Sequence, residues 1–231
     1  CIVIAHTLKV SRFGGTMADY SVFDIIGPRM TGPSSSHTAG ACRIANTARR
    51  IAGEDISAAE FTLYGSFAKT GFGHGTDKAL VAGILGFSPD DPSIADAYEA
   101  AEKAGLKVEL RLSEAPVEHP NTARISVTSS KGEVTEILGQ SVGGGNIRIV
   151  EINGLDLEIT GEYPTLILQY RDMPGIVAVV THVLAQNKIN IAFMRVFRHG
   201  KGLDAYMSIE TDQPVSIAIR ELIVGLSDGI I

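Results

Sequence analysis

The chain has 231 residues, a formal net charge of −6 at pH 7 and an isoelectric point near 5.5. Its lysines and arginines are scattered, so no basic field exists to hold a phosphate backbone, and we expect no nucleic-acid partner. Its apolar runs fall short of the roughly twenty residues that a membrane helix needs, so we expect no membrane span. A hydrophobic content of 45% over this length is sufficient for one large or two modest globular domains.

The cysteines and the first residues bear on the compartment. Cys1 and Cys42 are the two cysteines, which gives no disulfide framework and no CxxC metal spacing, so we expect a reducing, cytoplasmic environment. Residues 1–16 lack the apolar core and the cleavage pattern of a secretory signal. Because Met17 has the character of a natural start, we expect residues 1–16 to be an upstream extension without a fold of its own.

Residues 27–38 form a Gly/Pro-framed segment that ends in three serines, a histidine and a threonine. Apolar residues recur every three or four positions over 41–52, which predicts an amphipathic helix that begins near Thr38. The serines would then lie at a helix N-terminus, where unpaired N–H groups attract anions. One serine is enough for a cap, so the segment is either a small-acid site or a cap beside a structural histidine. Its candidate residues are Ser34, Ser35, Ser36, His37 and Thr38.

Residues 65–77 form a second glycine-rich segment, between a predicted strand and a predicted helix. The glycines leave little bulk around His74, so the pattern predicts an open loop where the backbone approaches a ligand closely. Thr76 and Asp77 occupy the position of a helix cap, and Asp77 serves either as that cap or, with Ser66, as a partner that orients His74. No GK[ST] ends the glycine run, so this is not a phosphate-binding P-loop.

The other elements of the first region are short. Periodicity predicts strands at 61–64, 106–112, 123–127, 146–152 and 155–160 and helices at 77–85 and 94–104. The Asn153-Gly154 dipeptide suits the positive φ angles of a two-residue turn, so we expect a hairpin there. This mixture predicts the α+β class.

Two further turns carry candidate residues. His119 and Asn121 belong to a His-Pro-Asn turn, which is either a third part of the site or an ordinary turn before a strand. Residues 141–146 contain three glycines, with Gly144 at their centre, and these form either an anion nest or a bend between strands.

From residue 164 onward the pattern is clearer. It predicts, in order, a strand at 165–170, a helix at 176–186, strands at 190–197 and 203–210, a helix at 215–226 and a possible last strand at 230–231. We expect Asp172 to cap the first of these helices, Pro174 to lie in its first turn and Gly175 to permit close backbone approach. The βαββα order and the Asp-x-Pro-Gly turn resemble an ACT domain, of the ferredoxin-like βαββαβ class.

In the ACT family this turn, with a neighbouring subunit, often forms an amino-acid effector site. The alternative is a module that only self-associates, because such units expose sheet edges that pair readily. The effector contacts that the resemblance implies are Asp172, Pro174, Gly175, Ile176 and Asn190.

Four separated motifs, taken together, resemble the beta subunit of iron–sulfur-dependent L-serine dehydratase. They are Gly32–Thr38, Gly65–Asp77, His119–Thr122 and Ser141–Gly145, and the resemblance extends over residues 20–231. It implies that the first region is similar to the allosteric substrate-binding domain of some phosphoglycerate dehydrogenases. It also implies a lyase that converts L-serine to pyruvate and ammonia, in serine catabolism and gluconeogenesis.

The resemblance further implies a [4Fe–4S] cluster, for which two cysteines cannot provide the about four ligands required. We therefore expect no metal ligand on this chain and a partner alpha subunit that ligates the cluster. In such a heteromer this chain forms the opposite wall of the active site. His37 and His74 are the implied catalytic residues, and the sequence does not decide which is the general base. The implied substrate contacts are Ser34, Ser35, Ser36, Thr38, Ser66, Thr76, Asp77, His119, Asn121 and Gly144.

We expect a substrate-binding-like domain at 17–152, a linker hairpin at 153–163 and an ACT domain at 164–231. The competing hypothesis is a non-catalytic regulatory module in which both domains bind small metabolites. The preference between serine and threonine and the number of subunits stay open at this point.

Overall fold

The computed structural model describes residues 30–53, 55–198, 200–226 and 229–230. The predicted extension at 1–16, the start at Met17 and the second residue of the predicted last strand, Ile231, lie outside the described residues. The chain divides into two compact units between Leu155 and Asp156. The expected limits of the linker hairpin stay a prediction.

The first unit combines helices with one mixed sheet. In chain order it contains a π-helical turn (Ser35–Gly40), α1 (Ala41–Ala52), β1 (Ile56–Tyr64), α2 (Gly65–His74), α3 (Thr76–Leu85), a 3₁₀ turn (Pro92–Asp96), α4 (Ala97–Lys103), β2 (Lys107–Leu112), β3 (Asn121–Ser129), β4 (Val134–Gly143), β5 (Asn146–Ile152) and β6 (Leu155–Ile159), within which the division between the units falls. The strand order is β2-β1-β3-β4-β5-β6, with β2 parallel to β1 and antiparallel pairing from β1 through β5. The predicted α+β class is confirmed.

Two tight turns in this sheet use positive φ angles. Asn153 and Gly154 have φ values of 50° and 77°, as predicted for a two-residue hairpin turn. Gly144 and Gly145, with φ values of 60° and 82°, link β4 to β5. These glycines thus form a bend between strands, and the anion nest stays a prediction.

Helix α1 packs closely against α3 and against the sheet. A Cβ on Gly83 of α3 would collide with the carbonyl oxygen of Cys42 in α1. A Cβ on Gly139 of β4 would collide with the side chain of Ile44, which is fully buried. These two glycines therefore set how deeply α1 lies between α3 and β4, and so where the turn that precedes α1 is placed.

Residues 65–74 form a helix, so the predicted open loop is wrong. The carbonyl of Pro120 accepts a hydrogen bond from the backbone N of Ser66 at 2.7 Å, which satisfies one exposed donor at the helix N-terminus. Phe67, in the first turn of this helix, is fully buried. These tertiary contacts outweigh the low helix propensity of the glycines. Gly75, with a φ of 70°, ends α2 and lets α3 begin at once.

The second unit contains β7 (Thr165–Arg171), α5 (Ile176–Gln186), β8 (Ile191–Arg198), β9 (Asp204–Thr211) and α6 (Ile217–Gly225). Its antiparallel strands have the order β7-β9-β8, and Ile230 bridges to Tyr170 of β7, where the predicted last strand would lie. The βαββαβ class is confirmed. None of the helices in the described residues is long and apolar enough to cross a membrane.

The turn between β7 and α5 differs from the prediction. Asp172 does not cap α5, because the N-cap is Gly175 and no side chain caps that end. The Asp172 carboxylate instead accepts hydrogen bonds from the backbone N of Gly202 and from Arg198 Nη1, both at 3.3 Å. Pro174 precedes the N-cap rather than lying in the first turn. A φ of 99° at the N-cap explains the glycine there.

Candidate active site

The π-helical turn carries the first candidate histidine, so the helical segment begins earlier than the predicted Thr38. Ser34 is the N-cap, and its Oγ accepts a hydrogen bond from the backbone N of His37 at 3.2 Å. Ser34 Oγ and Ser36 Oγ also lie 3.4 and 3.3 Å from His37 Nδ1. The serine run therefore caps the turn and also surrounds the imidazole with hydroxyl groups. Ser35, in the same turn, is partly buried.

The other ring nitrogen of His37 faces helix α2. His37 Nε2 lies 3.1 Å from Ser66 Oγ and 3.1 Å from Thr70 Oγ1. The edge of the imidazole also meets the ring of Phe67, at a centroid distance of 5.3 Å. The fold thus brings together the two histidine-bearing segments that the sequence singled out, and it buries His37 between them.

His74 lies beside His37, and one of its ring nitrogens makes no hydrogen bond within the described part of the chain. The two imidazole centroids are 4.8 Å apart. His74 Nδ1 lies 3.0 Å from the carbonyl oxygen of Thr70. Because a carbonyl oxygen only accepts hydrogen bonds, this Nδ1 carries a proton, and in the neutral ring Nε2 holds an unshared lone pair. His74 is partly exposed, so its Nε2 is the nitrogen able to take a proton from a ligand.

Burial and a neighbouring imidazole lower the pKa of His37. The larger cause is desolvation, the second is the charge of His74, and a hydrogen bond with the backbone of Ser66 opposes both. His37 therefore stays neutral at neutral pH.

Thr38 connects the π-helical turn to the end of α2. Its side chain is buried, and its Oγ1 donates a hydrogen bond to the carbonyl oxygen of His74 at 3.1 Å. Thr38 thus contacts the backbone of the site rather than an imidazole. This hydrogen bond holds the end of α2 that carries His74 against the π-helical turn.

The His-Pro-Asn turn lies against the start of α2. Besides the hydrogen bond between Ser66 N and the Pro120 carbonyl, His119 Nδ1 accepts from the backbone N of Asn121 at 3.2 Å. The side-chain amide of Asn121 reaches the carbonyl of Ser141 at 3.4 Å. This turn therefore supports α2 and links it to β4.

The end of β4 lies directly beneath the π-helical turn. Ser141 is fully buried, its Oγ has no hydrogen-bond partner in the described part of the chain, and a Cβ on Gly40 would collide with it. Arg43 Nη1 donates to the carbonyl of Gly145 at 2.9 Å, which ties the β4–β5 turn to α1. Gly144 is exposed at the tip of that turn.

Thr76 and Asp77 are buried at the start of α3, and neither caps it. Thr76 Oγ1 has no hydrogen-bond partner among the described residues. Asp77 shares a hydrogen bond with Tyr98, and burial together with this carboxylate raises the pKa of Tyr98 to about 12. The expectation of a cap at Asp77 is therefore wrong, because Gly75 holds the cap position and Asp77 pairs with a tyrosine of α4.

Sequence reasoning did not name Thr70 as a site residue. Ser66, Thr70 and His74 are four residues apart in turn, which places them on one face of a helix. That signal is present in the sequence but becomes readable only once the segment is known to be helical.

The predicted effector residues lie in the second unit. Asn190 is exposed, and its side-chain amide donates to Asp212 Oδ2 at 2.8 Å. Ile176 is buried, whereas Pro174 and Gly175 are exposed at the turn. Both polar side chains among the expected effector contacts, including the carboxylate at 172, are thus engaged within their own unit.

Comparisons with known proteins agree with this organisation. A model of the family described as serine dehydratase beta chain matches residues 21–115, and one of the ACT domain matches residues 165–226. The L-serine dehydratase beta chain of Peptoniphilus asaccharolyticus is 41% identical, over 91% of this chain and 95% of the relative. A probable L-serine dehydratase beta chain of Bacillus subtilis is 46% identical, over 84% and 88%. The D-3-phosphoglycerate dehydrogenase of the same organism is 28% identical over 65% of this chain but 29% of its own length. This chain therefore belongs to the L-serine dehydratase beta-chain family.

Proposed function

We propose that this chain is the beta subunit of a heteromeric lyase that deaminates L-serine to pyruvate and ammonia with a cluster-bearing alpha subunit. The observation that carries the proposal is the imidazole pair of His37 and His74, in which hydroxyl groups hold one ring and the Nε2 of the other has no hydrogen-bond partner among residues 30–53, 55–198, 200–226 and 229–230. The family and the names of its relatives support L-serine as the substrate. Two isolated cysteines favour a reducing compartment, so we propose a cytoplasmic location.

In this proposal His74 is the general base. Its Nε2 removes the α-proton of L-serine, which it can do because Nδ1 is already protonated and bound to a carbonyl. The β-hydroxyl then leaves as the Cα–Cβ double bond forms. The resulting enamine tautomerises to an imine, and water hydrolyses the imine to pyruvate and ammonia. The base then returns its proton to the departing oxygen or to solvent.

In this proposal the serines bind the substrate, and His37 orients their hydroxyl groups rather than removing a proton. His37 stays neutral at neutral pH, so it adds no positive charge to the site. The hydroxyls of Ser34, Ser36 and Ser66 surround His37, and those whose proton is not donated to its ring provide donors for a carboxylate. Ser35 is a further hydroxyl donor of the same turn in this proposal.

The described residues of this chain do not fit an iron–sulfur cluster. Cys42 is fully buried, its thiol donates to the carbonyl of Phe87 at 3.4 Å, and burial raises its pKa to about 12. Such a thiol resists the deprotonation that iron ligation requires. No group of three or more His, Cys, Asp or Glu side chains among the described residues is arranged to hold a metal ion. We therefore propose that the alpha subunit provides every cluster ligand, and no step assigned to this chain depends on one.

The test is anaerobic co-expression with the candidate alpha subunit, followed by a pyruvate assay with L-serine and, separately, with L-threonine. We expect co-purification and pyruvate from L-serine, and no pyruvate from either subunit alone. A complex that carries its cluster but forms no pyruvate would instead favour a non-catalytic regulatory module, the competing hypothesis.

For the second unit we propose self-association. Asp172 and Asn190 are engaged within the unit, whereas the edge strand β8 exposes Phe193, Met194 and Val196 at 50%, 38% and 44%. An exposed apolar edge strand pairs readily with a second copy. An amino-acid effector stays the alternative, and equilibrium dialysis of the full complex with amino acids tests it.

A further inference from the structure

We propose that Thr70 is a positioning residue that fixes the tautomers of both histidines, His37 through its hydroxyl group and His74 through its carbonyl group. The kinetic consequence rests on the proposed function, whereas the tautomers are measurable in this chain alone. One helical residue would thus act on both rings, together with the backbone of Ser66, which also accepts a hydrogen bond from His37.

The hydroxyl of Thr70 has one proton, which it donates to a backbone carbonyl. Thr70 Oγ1 lies 2.9 Å from the carbonyl oxygen of Ser66, which can only accept. The lone pairs of Oγ1 therefore face His37 Nε2 at 3.1 Å, so that nitrogen must be the donor. This assigns the Nε2–H tautomer to neutral His37.

The opposite side of the ring agrees with this assignment. In the Nε2–H tautomer Nδ1 is an acceptor, and the groups nearest to it are the hydroxyls of Ser34 and Ser36. Ser34 Oγ already accepts from the backbone N of His37, which leaves its proton free to donate. Hydroxyl donors on Nδ1 and a hydroxyl acceptor on Nε2 thus select the same tautomer.

The carbonyl of Thr70 orients the second ring. It accepts from His74 Nδ1 at 3.0 Å, which assigns the Nδ1–H tautomer to His74 and leaves its Nε2 unprotonated. The two rings therefore carry their protons on opposite nitrogens, 4.8 Å apart between centroids. That arrangement is what the base role of His74 requires.

Many helical threonines bond to the carbonyl four residues earlier without any further role. Thr181 in α5 is such a residue, with Oγ1 at 2.9 Å from the carbonyl of Val177. It makes the same intrahelical hydrogen bond as Thr70 at the same distance, but it lies in the other unit. Thr181→Val is therefore a matched control for the loss of that bond.

The first experiment records long-range ¹H–¹⁵N spectra of the histidine rings in the full chain, which separate protonated from unprotonated ring nitrogens. We expect Nε2–H for His37 and Nδ1–H for His74 in the wild type. The backbone of Ser66 also accepts from His37, so Thr70→Val should move His37 in part toward the Nδ1–H form, because the Ser66 hydroxyl can then donate to Nε2. Thr70→Ser and Thr181→Val should keep the wild-type tautomers. An unchanged His37 spectrum in Thr70→Val overturns the proposal.

The second experiment measures pyruvate formation by the assembled complex. We expect Thr70→Val to lower kcat by roughly 10-fold to 100-fold with little change in KM. The reason is that a changed His37 tautomer disturbs the arrangement of the site mainly in the transition state. Thr70→Ser should restore most of the activity. A shifted tautomer with unchanged kcat overturns the role of Thr70 in the reaction. If the wild-type complex forms no pyruvate, the proposed function fails while the ring spectra still decide the tautomer assignment.

Discussion

Hydrogen-bond polarity separates two histidines that lie side by side. His37 is surrounded by hydroxyl groups, which can donate or accept, so its protonation depends on its neighbours. His74 meets a carbonyl, which can only accept, so its Nδ1 carries the proton and its Nε2 keeps a lone pair that no described residue engages. The difference follows from which atoms of α2 each ring faces, and it carries the assignment of the base.

We expect His74→Ala to lower the turnover of the assembled enzyme by about two to four orders of magnitude, because the general base is removed. The measurement is the steady-state rate of pyruvate formation from L-serine. His182→Ala, at an exposed position of α5, serves as the control and should retain wild-type turnover. Near-normal turnover of His74→Ala in a complex with an intact cluster would remove His74 from the mechanism.

The lowered pKa of His37 makes stability depend on pH. The folded chain releases this proton more readily than the unfolded chain, whose histidine titrates near 6.5. Below that pH the unfolded state binds more protons, so the free energy of unfolding decreases as the pH falls. The urea concentration at the unfolding midpoint should decrease between about pH 7.5 and about pH 5.5, and we expect a smaller decrease for His37→Gln than for the wild type. The control His182→Gln should show the same decrease as the wild type. An equal decrease in His37→Gln would contradict the assignment of the pH dependence to His37.

At the scale of single elements, α2 shows why part of the site was readable in the sequence and part was not. Residue types alone marked His37, His74 and the serines as candidates. The glycines at 71 and 73 read as a loop, because their low propensity is local, whereas the hydrogen bond from Ser66 to Pro120 that starts the helix comes from a distant segment. The expected caps at Asp77 and Asp172 were wrong for the same reason, since distant groups engage both carboxylates.

Two helical glycines should respond oppositely to alanine. A Cβ on Gly83 would collide with the Cys42 carbonyl, so Gly83→Ala should destabilise the protein by about 1–3 kcal/mol, as overpacking does. Nothing lies within 4 Å of a Cβ on Gly73 in α2, so Gly73→Ala should stabilise it by about 0.5–1 kcal/mol. Urea unfolding followed by circular dichroism measures both. Equal effects of the two substitutions would show that close packing of α1 on α3 does not hold the site.

At the scale of the whole molecule, the order of elements was the most predictable property. Strand and helix periodicity predicted the βαββαβ order after residue 164, and the Asn-Gly dipeptide predicted the turn at Asn153-Gly154, because both signals are local. What the sequence could not supply is how side chains 29 or more residues apart meet, such as His37 with Ser66. The tautomers depend on such distant contacts, and so they emerge only from the structure.

The exposed apolar edge strand β8 predicts that the chain self-associates. If the apolar edge pairs with a second copy, a lysine in its middle places a charge in the contact and should weaken the assembly. We expect Val196→Lys to shift the sedimentation velocity of the full chain from a dimer toward a monomer, because Val196 is 44% exposed on that edge. Ala178→Lys, at an exposed position of α5, adds the same charge away from the edge and should leave the dimer intact. A wild-type chain that sediments as a monomer at every concentration would leave amino-acid binding as the remaining role for the second unit.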